Sequence, residues 1–201
     1  MRDRPRPATL PPMSATAPPE ALPWSGDPEA DRLIAADANA LLIGFVLDQQ
    51  VSVQSAFSGP LKIQQRLGRL DAGEIASLEP DRLELVFRER PAIHRFPGSM
   101  AGRVRELCAV VEEEYDGDAA RLWNEAADAK DLRRRIEALP GFGPMKVKAL
   151  SAVLSKRFGV RVADELTPSH PTLGDVDSAE ALERYQALKR EYKAKLRAQS
   201  A

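Results

Sequence analysis

One run, Leu139-Pro140-Gly141-Phe142-Gly143-Pro144, constrains the fold of this chain more than any other stretch. Before it, Asp131 to Ala138 carries Leu132, Ile136 and Leu139 at helical spacing. After it, Pro144 to Lys156 sets Val147, Leu150, Val153 and Leu154 on one helical face, with Lys146, Lys148 and Lys156 off it. The residues between leave room only for a tight turn. Gly141 and Gly143 can adopt positive φ or admit another backbone at close range. Pro144 suits the first turn of a helix, where its missing N–H costs nothing. The run therefore predicts two helices over 131–156 joined by a glycine turn. Free N–H groups at such a turn, the positive end of the second helix dipole, and Lys146 and Lys148 one turn further in all favour an anion such as a phosphate.

Charge is divided in the same sense. Residues 1–130 carry 15 Lys and Arg against 21 Asp and Glu, whereas residues 131–201 carry 14 against 9, so a net of −1 conceals a basic final third. A surface facing phosphates has this character; so does a solvated helix rich in Lys and Arg. With 201 residues, few aromatics and 29% charged residues, the chain reads as helical and long enough to bury a core. Cys108 is the single cysteine, which excludes an internal disulfide and a multi-cysteine metal site. It falls on an apolar helical face with Val104, Leu107 and Val111, as a buried thiol would. Without a long apolar run or a secretory segment at the start, a cytoplasmic, nucleoid-associated protein is expected.

Residues 1–21, with six prolines and three arginines, read as a disordered tail, with Met13 as an alternative start. The domain proper is expected over 22–201. Asp27 and Pro28 mark a helix start, with a short helix running to Ala36. Ala38 to about Val53 is the most apolar segment and predicts one buried central helix, interrupted by Asp48, Gln49 and Gln50. Amides are costly to bury without partners, so the Gln pair implies either a cleft wall or rim or a frayed end turned to water. Helices are expected over 56–67, 71–78, 81–88 and 99–114, a loop over 90–97, and a last amphipathic helix over 178–198 bearing Tyr185, Leu188, Tyr192 and Leu196. His94, in the loop beside arginines, reads as a DNA or solvent contact rather than a catalytic group. Trp24, Phe45, Phe57 and Phe96 either fill the core or line a pocket.

Taken together, the Leu-Pro-Gly-hydrophobic-Gly string resembles the helix-hairpin-helix of the DNA glycosylase superfamily that includes endonuclease III and the 3-methyladenine glycosylases. Leu47-Asp48-Gln49-Gln50-Val51-Ser52-Val53 is similar to that superfamily's glutamine-bearing helix end, with Asp48 in place of the more usual small residue. Met100-Ala101-Gly102-Arg103-Val104-Arg105-Glu106-Leu107 followed by Tyr115-Asp116-Gly117 resembles its basic helix, and Phe158-Gly159 its closing pair. The resemblance spans residues 36–160. It implies an all-α, two-lobed fold of the helix-hairpin-helix glycosylase type with an interlobe cleft, acting as a monomer on double-stranded DNA that carries a base lesion. Gln49, Gln50, Gly141, Phe142, Gly143, Lys146 and Lys148 would contact DNA, and Gln50 would fill the gap left by an extruded base.

Base excision needs stabilisation of a cationic sugar and an oriented water, tasks a carboxylate near C1′ can perform. In the superfamily an aspartate downstream of the hairpin does so. Here Asp164, 21 residues past Gly143, fits the spacing but lacks the surrounding motif. Asp177, in Val176-Asp177-Ser178, fits the motif better but lies too late, and Asp175 precedes it; helix capping accounts for that cluster as well. Strand-nicking relatives place a lysine two residues after the second glycine, where it forms a Schiff base. That position is Met145, and Lys146 is about 100° further round the helix, so hydrolysis without strand cleavage is expected. A non-catalytic DNA-binding repair module and a helical interaction domain without nucleic acid are the alternatives. No cofactor is required by this reading. The resemblance allows a monovalent cation at the hairpin, and Cys108 alone cannot hold an iron–sulfur cluster.

Overall fold

The computed structural model describes residues 18–199. The tail expected over 1–21 falls mostly outside that range, and so do the side chains of Tyr192 and Leu196. The described residues are helical, without a strand, and no helix among them is long and apolar enough to cross a membrane.

Local capping chemistry accounts for the first helices. Helix α1 (Pro28–Ala36) starts under Asp27, whose carboxylate accepts from the N–H groups of Glu29 and Ala30 at 2.9 and 3.4 Å. Asp37 caps α2 (Ala38–Leu47) in the same way, at 2.8 and 3.1 Å from the N–H groups of Asn39 and Ala40. From Ala40 onward α2 is wholly buried, as its apolar run predicts. The single helix expected from Ala38 to about Val53 is corrected, however. Asp48 leaves helical geometry at φ −72° and ψ 67°, Gln50 turns into the left-handed region at φ 57°, and the Ser52 hydroxyl caps a new helix, α3 (Val53–Leu67), by accepting from Ser55 N–H at 3.1 Å. A serine N-cap outweighs the apolar continuity between Leu47 and Val53.

The expected helices follow as α4 (Ala72–Ser77), α5 (Pro80–Arg88) and α6 (Pro97–Tyr115), then a short α7 (Arg121–Asn124) that periodicity did not show. The hairpin is α8 (Ala129–Glu137) and α9 (Pro144–Phe158), followed by 3-10 turns at Arg161–Leu166 and Leu173–Asp175 and by α10 (Ala179–Gln199). Helix α2 packs on α3 and α6, α6 carries α4 and α5 on its other faces, and α9 lies against both 3-10 segments. Cys108 is buried, and burial pushes its thiol up to about 12; it is an inert core group.

Trp24 joins the first described segment to the stretch that leads into α10. Its ring meets Phe57 edge-on at 4.9 Å, Phe57 meets Phe45 at 5.4 Å, and the Trp24 indole N–H donates to the Val176 carbonyl at 3.3 Å. Buried Asp31 fixes the approach, accepting from the N–H groups of Trp24 and Ser25 and from the Ser25 hydroxyl at 3.1, 2.8 and 2.6 Å. Helices α2 and α3 cross so closely at this cluster that a Cβ on Gly44 would stand 2.5 Å from Phe57 Cδ1. Phe57 is held by two other aromatic rings and cannot step aside. Gly44→Ala is therefore expected to destabilise the protein by about 1–3 kcal/mol through overpacking, read as a lowered urea midpoint at unchanged m-value.

Candidate nucleic-acid interface

The glycine turn forms as the sequence predicts. Gly141 and Gly143 are exposed, and Gly141 holds φ at 79°. Gly143 is different: its φ is −84° and its ψ 179°, the extended geometry of an N-cap, and nothing stands near where its Cβ would be. Pro144 takes the first position of α9. Among the described residues, the N–H groups of Gly141, Gly143 and Met145 donate to no backbone carbonyl, so exposed donors cluster at the positive end of a 15-residue helix.

The loop after α2 packs against this turn through Gln49. A Cβ on Gly141 would lie 3.8 Å from the Gln49 amide nitrogen, so the two motifs share one edge although they are far apart in sequence. Every polar group of Gln49 is engaged at long range or against α2, its N–H donating to the Leu47 carbonyl at 2.7 Å. The amide nitrogen donates to the Val46 carbonyl at 2.9 Å, the amide oxygen accepts from the Arg103 guanidinium of α6, and the backbone carbonyl meets His94 Nε2 at 3.0 Å. Gln49 is thus a structural pin between α2, α6 and the loop before α6. Gln50, next to it, is exposed and in the left-handed region, a conformation that costs a residue with a Cβ about 1–2 kcal/mol. Such strain persists only where the surrounding structure imposes it, and the residue before Gln50 is the firmly bonded Gln49.

His94 is not the solvent group that its place in the loop suggests. It is 3% exposed, and its two nitrogens have opposite duties: Nδ1 accepts from Phe96 N–H at 3.0 Å, so Nε2 carries the proton donated to Gln49. Burial holds its pKa below the ordinary 6.5, with help from nearby Arg95 and against the bonds to the Gln49 and Leu47 backbone. The aromatic that does face solvent is Phe96, 41% exposed, with the Arg95 guanidinium 4.8 Å over its ring. Trp24, Phe45 and Phe57 are core.

Two residues expected at the phosphate seat turn inward. Phe142 is 5% exposed and lies 6.3 Å from Phe45, because the hairpin needs an apolar anchor under its turn. Lys146 follows it: its ammonium sits 5.5 Å from the Phe142 ring and 3.4 Å from the Val46 carbonyl, beneath the last turn of α2. Burial lowers its pKa to about 8, opposed by the charge of Asp48 and assisted by that of Arg103. Lys148 is exposed on α9, and Met145 is 75% exposed at the turn.

Among the described residues, none of the three downstream aspartates is hydrogen-bonded to the turn or to Gln49. Asp164 accepts from the Ser155 hydroxyl at 2.6 Å. Asp175 is paired with Lys156 at 2.7 Å and accepts from the Thr172 N–H and hydroxyl in a capping box. Although burial alone would raise its pKa, those bonds hold the carboxyl below the usual range. Ser155 and Lys156 stand about 18–20 Å along α9 from Gly143 at 1.5 Å per residue. Asp177 is exposed beside Ser178, and it is the Ser178 hydroxyl that caps α10, accepting from Ala181 N–H at 3.1 Å. The residues that hold the Gln49 loop, a task sequence reasoning gave to neither, are Arg103 and His94, with half-buried Asp48 directly before it. The basic helix motif contained Arg103, and Asp48 was visible as the odd residue of the glutamine string.

Two variants check this geometry. Gly141→Ala meets only ordinary contact but must hold positive φ, so it is expected to cost about 1–2 kcal/mol, whereas Gly143→Ser, in extended backbone with open space, should stay within about 0.5 kcal/mol of the parent; urea melts compare them. For His94 the unfolded chain takes up a proton as pH falls through 6.5 while the folded chain resists, so stability present above that pH is lost below it, by at most about 1.4 kcal/mol per pH unit. His94→Gln should flatten that slope between about pH 7.5 and about pH 5.5 in denaturant titrations. Comparison of the chain with protein-family models, curated proteins and solved structures gives no match.

Proposed function

We propose that the chain is a DNA base-excision protein of the helix-hairpin-helix glycosylase type. In this reading the Gly141 turn grips a phosphate of duplex DNA, Gln50 enters the gap left by an extruded base, and the base is removed by hydrolysis in a cleft between two helical lobes. The observation that carries the proposal is the packing of Gln49 on Gly141. It joins the exposed donors of the turn and the strained, exposed Gln50 into one continuous edge, the arrangement a protein needs if it is to hold a backbone and replace a base together. Phe96 with Arg95 on its ring offers a stacking surface beside that edge, and exposed Lys148 supplies charge along α9.

The expectation of hydrolysis without strand cleavage rests on Met145, which occupies the exposed position while Lys146 lies folded under α2. A second reading, a DNA-binding module without chemistry, is favoured by one observation: Asp164 and Asp175 are engaged far along α9 by Ser155, and by Lys156 and Thr172.

Fluorescence anisotropy with a short duplex should show affinity that falls steeply with salt, and Lys148→Ala should reduce the slope of log affinity against log salt by about one ion. Gln50→Gly, freed of left-handed strain, should melt higher yet lose the preference of the parent for a duplex containing an abasic site over an intact one. Incubation with duplexes bearing uracil, an alkylated purine or an oxidised purine should give strand breaks only after hot alkali. Binding with no excision of any of these would favour the second reading; breaks without alkali would contradict the role given to Met145.

A further inference from the structure

Resting on that reading, we propose that Asp48, and none of the downstream aspartates, is the carboxylate that stabilises the cationic sugar and takes a proton from the attacking water. Asp48 ends α2 and opens the loop that packs on Gly141, half-buried and directly before Gln49 and Gln50. Its position is fixed from both sides: the preceding turn of α2 holds Lys146 on the Val46 carbonyl, and the following residue is bonded by Arg103 and His94. A group so held needs little reorganisation on binding. Among the described residues its carboxylate accepts no hydrogen bond and makes no ion pair at contact distance, whereas Asp164 and Asp175 are engaged by Ser155, Lys156 and Thr172.

The surroundings suit the task. The charge of Asp48 acts on Lys146 and, from α10, on the half-buried phenol of Tyr185. Burial raises the Tyr185 pKa, with Asp48 and Asp175 adding to that effect against Lys189, so the phenol stays protonated and able to donate. Arg103 is the other cation facing Lys146. In the reaction the N-glycosidic bond breaks with its electron pair leaving on the base, and water adds to C1′. The proton that water surrenders to Asp48 matches the one the departing base takes up, leaving an abasic sugar and a free base. Lys146 acts here as a positioning residue, bonded to the Val46 carbonyl in the turn of α2 that Asp48 ends.

The test uses two otherwise identical duplexes, one carrying a cationic pyrrolidine in place of the sugar and one carrying a neutral tetrahydrofuran, each titrated into the full-length protein. The parent is expected to bind the cationic duplex at least about tenfold tighter. Asp48→Asn, and Asp48→Ser as a second neutral variant, should bind both duplexes equally while keeping the affinity of the parent for tetrahydrofuran, and Asp48→Glu should restore part of the preference. Asp164→Asn, Asp175→Asn and Asp177→Asn should keep it in full. Survival of the preference in both neutral Asp48 variants, or a parent that binds the tetrahydrofuran duplex but shows no preference, overturns the assignment and leaves DNA binding intact. A parent that binds neither duplex overturns the underlying reading, and the assignment with it.

Discussion

The structure depends on satisfying the polar groups of Gln49. An amide carried into a half-buried position must find partners for its donor and acceptor, or the burial costs free energy of the order of a lost hydrogen bond. Gln49 finds them in three places: its own α2 through Val46, α6 through Arg103, and the loop before α6 through His94. Because those partners come from separate elements, the bonds fix how the end of α2 and the start of α6 sit together, beside the hairpin turn that Gln49 approaches at Gly141. The remaining features of the edge follow. Around that anchor α2 ends at Leu47, Asp48 leaves helical geometry half-buried, and Gln50 takes positive φ.

A second constraint acts from below. The hairpin could not sit against α2 without an apolar foot, and Phe142 provides it, packed toward Phe45 and covered by Lys146. Phe45 in turn stacks edge-on with Phe57, and Phe57 with Trp24. The proposed DNA edge is thus the outer rim of one aromatic chain that runs through the core to the Val176 carbonyl. The cost of this arrangement is visible in Lys146: to cover Phe142 it gives up solvent, and its pKa falls to about 8 as a result.

Helix-level expectations were met where the responsible physics is local. Asp27 and Pro28 start α1, Pro144 starts α9, and the apolar faces of α8 and α9 are the buried ones, because capping and helical periodicity act over three or four residues. The one helix drawn too long, from Ala38 to about Val53, was misjudged for the same reason: apolar continuity outvoted a serine cap at Ser52. His94 and Phe142 were assigned to the surface from their company in the sequence, arginines for one and a glycine turn for the other, but exposure is a property of what packs above a residue.

Residue order and type alone determined an all-helical chain, a hairpin with an open turn at 139–144, a glutamine loop ending the most apolar helix, and a basic final third. Packing in three dimensions decided that the loop and the turn meet, that Gln49 anchors while Gln50 faces outward, that Lys146 and Phe142 turn in, and that Asp164 and Asp175 are taken up by Ser155, Lys156 and Thr172. The division has a physical cause. Helices and turns are chosen by interactions between near neighbours. The partners of these side chains lie 54 residues away for Gln49 and Arg103, and 100 for Lys146 and Val46, and which of them meet is settled only when the whole core closes.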